Sequence, residues 1–114
     1  MAVSVLGTPS VQLASGGSYT AETGSNRAVV FCDNSEHGAT PITGISLGGV
    51  SATKAVDLDV QGAGVDVYSG IWYILEASIP SGSQTLAITG GNVDSVTVMT
   101  LDGVDQTSPV TITD

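Results

Sequence analysis

Residues 71–75 have the sequence IWYIL, and residues 28–32 have the sequence AVVFC. Neither stretch has the i, i+3, i+4 spacing of apolar residues that marks an amphipathic helix. Short, continuous apolar runs with β-branched and aromatic residues are typical of strands at the centre of a sheet, which are covered on both faces. We therefore predict two central strands, with Trp72 and Tyr73 on opposite faces of the second.

Further strands are predicted by apolar residues that alternate with polar or small ones, at Val3/Val5, Val11/Leu13, Ile45/Leu47 and Leu86/Ile88. The clearest alternation lies in residues 56–61, where three apolar side chains alternate with two aspartates and a glutamine: Val56, Leu58, Val60 against Asp57, Asp59, Gln61. We expect a strand there with one face in water. A helix over residues 50–60 is the alternative, because Ala52, Lys54 and Ala55 have fair helix propensity.

Turn-forming glycine and proline clusters separate these segments, at residues 15–18, 48–49, 62–64, 80–83 and 90–92. About seven to nine short strands with turns at this spacing predict an all-β fold, an antiparallel β-sandwich of immunoglobulin-like or jelly-roll-like type, or a small barrel. We expect residues 1–114 to form one domain, with residues 1–17 as a candidate N-terminal arm. Ser and Thr occupy 27 of the 114 positions, enough to make solvent faces polar without charge.

Composition excludes several classes of function. The formal net charge is -9, and Arg27 and Lys54 are the only Lys or Arg residues, so a phosphate-binding nucleic-acid surface is not expected. One cysteine cannot form an internal disulfide. No apolar window is long enough for a membrane span, and Met1 is not followed by a secretion signal, so we expect a soluble protein made in a cytoplasm without a membrane partner.

No motif in the chain predicts catalysis or a cofactor. The spacings of zinc proteases, serine hydrolases, dinucleotide-binding folds and P-loops are all absent. Cys32 and His37 are close in sequence, but Cys32 ends an apolar strand while His37 falls in a polar loop. We therefore predict that the protein is not an enzyme.

A metal site is also not predicted. Asp57 and Asp59 share one face of a strand and could bind a hard cation such as Ca²⁺ together with Asp66. A solvated acidic face is the preferred interpretation, because no calcium-loop pattern accompanies these residues.

Two other groups of residues are candidates for a site. Arg27 precedes an apolar strand, and its planar guanidinium suits a structural clamp, for which Asp105 is the expected partner. Trp72, Tyr73 and Tyr68 could stack against a sugar, although core packing is the preferred role of Trp72.

Several segments together resemble a β-sandwich domain found in structural proteins of tailed bacteriophages and in some bacterial surface proteins. The specific ones are GSNR at residues 24–27 and GVDQTSP at residues 103–109; Gly48-Gly49, the Trp72-Tyr73 strand and residues 80–82 are weaker. The similarity covers residues 18–110 and implies a structural role without catalytic residues, with Arg27 and Asp105 as scaffold positions. The relatives continue beyond residues 110–114, where this chain ends, which leaves an edge to be filled by residues 2–13 or by a neighbouring subunit.

The resemblance and the composition together favour a capsid decoration (cement) protein. It would be made in the host cytoplasm, bind the major capsid protein on the outer surface of a phage head, and self-associate, with a trimer as the expected state. The assembly interface is expected at apolar residues near the termini: Val3, Val5, Leu6, Val11, Leu13, Val110 and Ile112. The alternative is a receptor- or glycan-binding module of a phage tail or fibre or of a bacterial surface protein, acting through the three aromatic residues.

Overall fold

The computed structural model describes residues 2–36, 41–62, 65–90 and 95–111, with backbone alone at 35–36, 59–62 and 65–66. This part of the chain is almost entirely β-structure. The strands are β1 (Ser4–Ala14), β2 (Ser18–Thr20), β3 (Ala28–Glu36), β4 (Ile42–Leu47), β5 (Val50–Ser51), β6 (Thr53–Gly62), β7 (Val65–Leu75), β8 (Ser83–Gly90) and β9 (Ser95–Asp102). One 3-10 turn, Glu76–Ser78, follows β7.

The strands form two antiparallel sheets, which confirms the predicted all-β sandwich. The five-stranded sheet has the order β1-β9-β3-β7-β6, and the four-stranded sheet has the order β2-β8-β4-β5. The two apolar runs lie in β3 and β7, which pair with each other and have neighbours on both sides. The prediction of central strands is therefore confirmed.

One hydrophobic core fills the space between the sheets. Its buried members come from β2, β3, β4, β7, β8 and β9, and in β3, β7 and β9 they alternate along the strand, as the period of two requires. Phe31, Leu47 and Leu86 are its largest fully buried apolar side chains. The rest of the cluster comes from both sheets: Tyr19, Val29, Ile42, Ile45, Trp72, Ile74, Val96 and Val98.

Three expectations about the chain's outer segments are answered by the strand order. Residues 4–14 form β1, paired with β9 along the sheet, so this part of the candidate arm is an integral edge strand. The alternative helix over residues 50–60 is wrong, because this region forms β5 and β6. Residues 110–111 add no strand, and the edge beside β9 is filled by β1 of the same chain.

Strand β6 differs from its predicted environment, because the side chains of Val56 and Leu58 do not reach the core. Val56 pairs with Ile71 and faces outward with it, and Leu58 is 59% exposed. Lys54 and Asp57 take the inward side of this edge strand.

Within the described residues, no helix has the length and hydrophobicity needed to cross a bilayer.

Candidate interaction surface

The outer face of the five-stranded sheet, hereafter the apolar face, carries the side chains that alternate with core residues. In β3, Val29 and Phe31 point into the core, so Val30 and Cys32 point outward. The registers place Tyr73 beside Val30 on β7 and Met99 beside it on β9. Both faces of the central strands are thus apolar, but only the inner one is covered by the second sheet.

Exposed large apolar residues are concentrated on this sheet and at its border. The described residues include seven, and none belongs to the four-stranded sheet: Val3, Val5, Val11, Val56, Leu58, Ile71 and Val110. A contiguous exposed apolar patch on a soluble protein is typical of an interaction site. Val56, Leu58 and Ile71 were absent from the sequence-based interface. The apolar character of both faces of residues 71–75 was the available signal, but the sequence could not show that one face lacks a cover.

The segment after β9 turns this face into a groove. Residues 103–105, Pro109 and Val110 line it together with Val3. The groove has a volume of about 370 Å³, and its floor consists of outward-facing side chains of β3, β7 and β9: Ala28, Val30, Ile71, Tyr73 and Leu101. Asp105 is the one charged residue among the described residues that line it, and its carboxylate accepts hydrogen bonds from the backbone N–H groups of Thr107 and Ser108.

The other members of the sequence-based interface lie in different surroundings. Val5 faces outward with its partner Leu101, whereas Leu13 packs against the core. Leu6 is half-buried beside Gly24. Ile112 lies outside the described residues.

A hydrogen-bonded cluster holds residues 103–107 in place beside the groove. Arg27 donates from Nε and Nη2 to the Glu76 carboxylate, with an Nη2 to Oε1 distance of 2.8 Å. Gln106 Oε1 accepts a hydrogen bond from the backbone N–H of Glu76, and Gln106 Nε2 donates one to the backbone carbonyl of Arg27. Arg27 is therefore a clamp, but its carboxylate partner is Glu76 and not Asp105. Sequence analysis missed Glu76 and Gln106 because nothing local links residues so far apart.

Charge and hydrogen bonding shift the pKa values of these groups. Hydrogen bonds from the side chain and backbone of Arg27 lower the pKa of Glu76, and the hydrogen bond to Glu76 raises the pKa of Arg27. The backbone N–H groups of Ser108 and Thr107 lower the pKa of Asp105. Each of these groups is thus held in its charged form.

The two motifs that carry the resemblance meet at this clamp. The backbone N–H of Gly103 donates to the carbonyl of Ser25, and that of Val104 donates to Asn26. Asn26 has a φ of 52°, in the left-handed region that Asn tolerates better than most residues. The conformation of residues 24–27 thus presents the carbonyl groups that hold residues 103–104.

The three aromatic residues proposed for stacking do not form one platform. Trp72 is 5% exposed, and its Nε1 donates to Asp33 Oδ2 at 2.7 Å. Tyr68 lines a small pocket of about 90 Å³ on the same side of the sheet as Trp72. Tyr73 lies on the opposite side, in the groove. The prediction that Trp72 and Tyr73 occupy opposite faces is confirmed, and Trp72 belongs to the core.

The described residues contain no group of three His, Cys, Asp or Glu side chains that could hold a metal ion. Asp57 is exposed and pairs with Lys54 at 2.9 Å. His37 lies outside the described residues, as do the side chains of Asp59 and Asp66. Cys32 is half-buried on the apolar face, where burial and then the charge of Asp33 raise the pKa of its thiol.

Comparison with known proteins adds no relative. No family model matches the chain, and searches of curated proteins and of solved structures find no match.

Proposed function

We propose that the protein is a non-enzymatic structural component of a tailed-phage virion, a decoration protein that binds the outside of the head and stabilises the shell. The observation that carries this proposal is the apolar face, because an uncovered apolar surface of this extent on a folded domain is suited to protein association. The resemblance of residues 18–110 to phage structural domains supplies the kind of assembly.

The stabilising mechanism would be mass action. A protein that binds the assembled shell but not its dissociated subunits shifts the equilibrium toward the shell, and the effect grows with the number of copies bound. Such a role needs a rigid domain with an exposed apolar surface, and it needs no catalytic groups. The clamp of Arg27, Glu76 and Gln106 would serve it by fixing the segment that borders the groove.

The alternative function, a glycan- or receptor-binding module, keeps two of its three aromatic residues as candidates. Trp72 is buried and hydrogen-bonded to Asp33, so its ring cannot stack against a sugar. Tyr73 lies in a groove of about 370 Å³ and Tyr68 beside a pocket of about 90 Å³, so Tyr73 has the larger space for a ligand. A module of this kind would lose binding in Tyr73→Ala.

The test uses empty heads assembled from the major capsid protein encoded by the same genome. The purified protein should sediment with the heads to a fixed saturating ratio and raise the temperature at which they disrupt. Failure to sediment with heads at the highest soluble concentration would overturn the capsid role. Saturable glycan binding that Tyr73→Ala abolishes would support the alternative instead.

A further inference from the structure

We propose that the apolar face binds a second copy of this chain, with the two five-stranded sheets packed face to face about a two-fold axis. This inference rests on the proposed assembly role of that face and names its occupant in the absence of phage heads. Three observations carry it: the closed edges of the sheet, the lack of charge among the described side chains of the face, and the size of the face.

Both edges of the five-stranded sheet are protected against strand addition. Strand β1 has two register shifts against β9, and its Gly7 and Gln12 have φ values of 62° and 55°. Such bulges distort the row of hydrogen-bonding groups that another strand would need. Strand β6 has a bulge between Lys54 and Val56, and it carries inward-pointing charges at Lys54 and Asp57. Association through the face is therefore favoured over association through an edge.

Charge favours a second copy as the occupant. The chain has a net charge of -9, so two copies repel each other over most approaches. The outward side chains described on the five strands carry no charge. Asp105, which lines the groove, accepts hydrogen bonds from the backbone N–H groups of Thr107 and Ser108. A neutral apolar patch is complementary to itself, as a two-fold interface requires. Its described side chains offer no charged group that would select a different partner.

The area of the face approaches the contribution of one partner to a standard interface. Five strands about 4.8 Å apart, each with about eight residues at about 3.3 Å, span on the order of 600 Å² in projection. Side-chain relief increases the accessible area beyond this projection, toward the roughly 800 Å² that each partner contributes to a standard interface. The groove beside Val110 adds a depression that a side chain of the second copy can fill.

The experiment measures molar mass by light scattering and sedimentation equilibrium over a hundredfold range of concentration, without heads. Leu58→Lys and Val56→Lys place a charge on the apolar face at its edge strand, where the backbone tolerates the change. Thr20→Lys and Thr85→Lys add the same charge to the exposed outer face of the other sheet. Circular dichroism and the fluorescence of Trp72, the only tryptophan, verify folding.

We expect the wild type to reach twice its 11.4 kDa chain mass. The dimer dissociation constants of both apolar-face variants should be at least about tenfold higher than that of the wild type, which corresponds to about 1.4 kcal/mol. The two threonine variants should behave as the wild type does. A wild type that stays monomeric or forms a trimer would overturn the proposal. So would a Leu58→Lys variant that dimerises as tightly as the wild type.

The outcomes also separate this inference from the proposed function. A monomer that binds heads, and loses that binding in Leu58→Lys, would leave the decoration role intact and assign the face to the capsid. A dimer that ignores heads would keep the inference and remove the decoration role.

Discussion

The two sheets of the sandwich share one core but present different outer faces. The four-stranded sheet shows water mainly hydroxyl groups, from Ser18, Thr20, Thr43, Thr85 and Thr89. The five-stranded sheet shows Val5, Val56, Leu58 and Ile71 at the corresponding outward positions. The described outward side chains of both sheets are uncharged, so charge does not explain the difference between these two sets. A sheet that faces water in the working protein can use threonine, whereas a sheet rich in outward valine, leucine and isoleucine is suited to contact with protein.

Substitutions on the inner faces should have the largest effect on the free energy of unfolding, because both sheets contribute fully buried residues to the same cluster. Phe31→Ala in the five-stranded sheet and Leu86→Ala in the four-stranded sheet should each lower the free energy of unfolding by about 3 to 5 kcal/mol, through lost burial and the cavity left behind. Urea denaturation of dilute protein measures both. Leu58→Ala, on the apolar face, should change it by less than about 0.5 kcal/mol. A loss below about 1 kcal/mol for Phe31→Ala would contradict a shared core.

A glycine in each sheet gives the next largest contrast. A Cβ at Gly70 would lie 2.6 Å from Asp33 Oδ2, and that carboxylate is 6% exposed and bonded to Trp72. Gly70→Ala should therefore destabilise the fold by about 1 to 3 kcal/mol and shift the Trp72 emission. A Cβ at Gly44 would meet Thr89 at 3.7 Å, an ordinary contact, so Gly44→Ala is the matched control. Equal stability of the two variants would show that Asp33 can move away from the added methyl group.

These contrasts show how far the sequence predicts the fold. The alternation of Ile45 and Leu47 around Ser46 identified a strand with one wet face, and the structure has that arrangement. The runs at residues 28–32 and 71–75 identified central strands, because both faces of each run are apolar. Period and composition act locally along the chain, so they can be recognised without knowing the fold.

The candidate site was less predictable, for a physical reason. The side chains of Val56 and Leu58 have the pattern of a half-buried strand, but whether their face meets the core depends on where the second sheet ends. The clamp depends in the same way on a pairing between Arg27 and Glu76, 49 residues apart. Interactions at such separations follow from topology, which no local pattern contains.

The clamp gives a smaller effect that depends on pH. Because Arg27 lowers the pKa of Glu76 in the folded state, the ionised carboxylate stabilises the fold above its ordinary pKa of 4.5, and this contribution is lost as the pH falls through the lowered value. Glu76→Gln should cost about 1 kcal/mol at neutral pH, since the pair is partly exposed, and should lose part of the acid dependence of the melting temperature.

Glu22→Gln is the control for charge. Glu22 accepts a hydrogen bond from Arg27 Nη1 through its backbone carbonyl, which the substitution keeps. It should keep the wild-type acid profile. A Glu76→Gln protein whose melting temperature falls with acid as steeply as that of the wild type would show that the clamp does not contribute. Release of residues 103–107 should also expose more of the groove, which would increase dye binding to the apolar face and not to the threonine-rich one.

The smallest effect concerns the reactivity of a thiol on each outer face. Cys32 lies on the apolar face at the central strand β3, and burial already raises the pKa of its thiol, so its reaction with a disulfide reagent should be slow. If a second copy covers this face, labelling requires the free chain, and the rate should fall several-fold as protein concentration rises through the dissociation constant. Ala87→Cys in a Cys32→Ser background places a thiol on the exposed face of β8, where the rate should not depend on protein concentration. A concentration dependence at residue 87, or its absence at Cys32 in a protein that dimerises, would assign the interface to a different surface, since only the covered face can protect its own thiol.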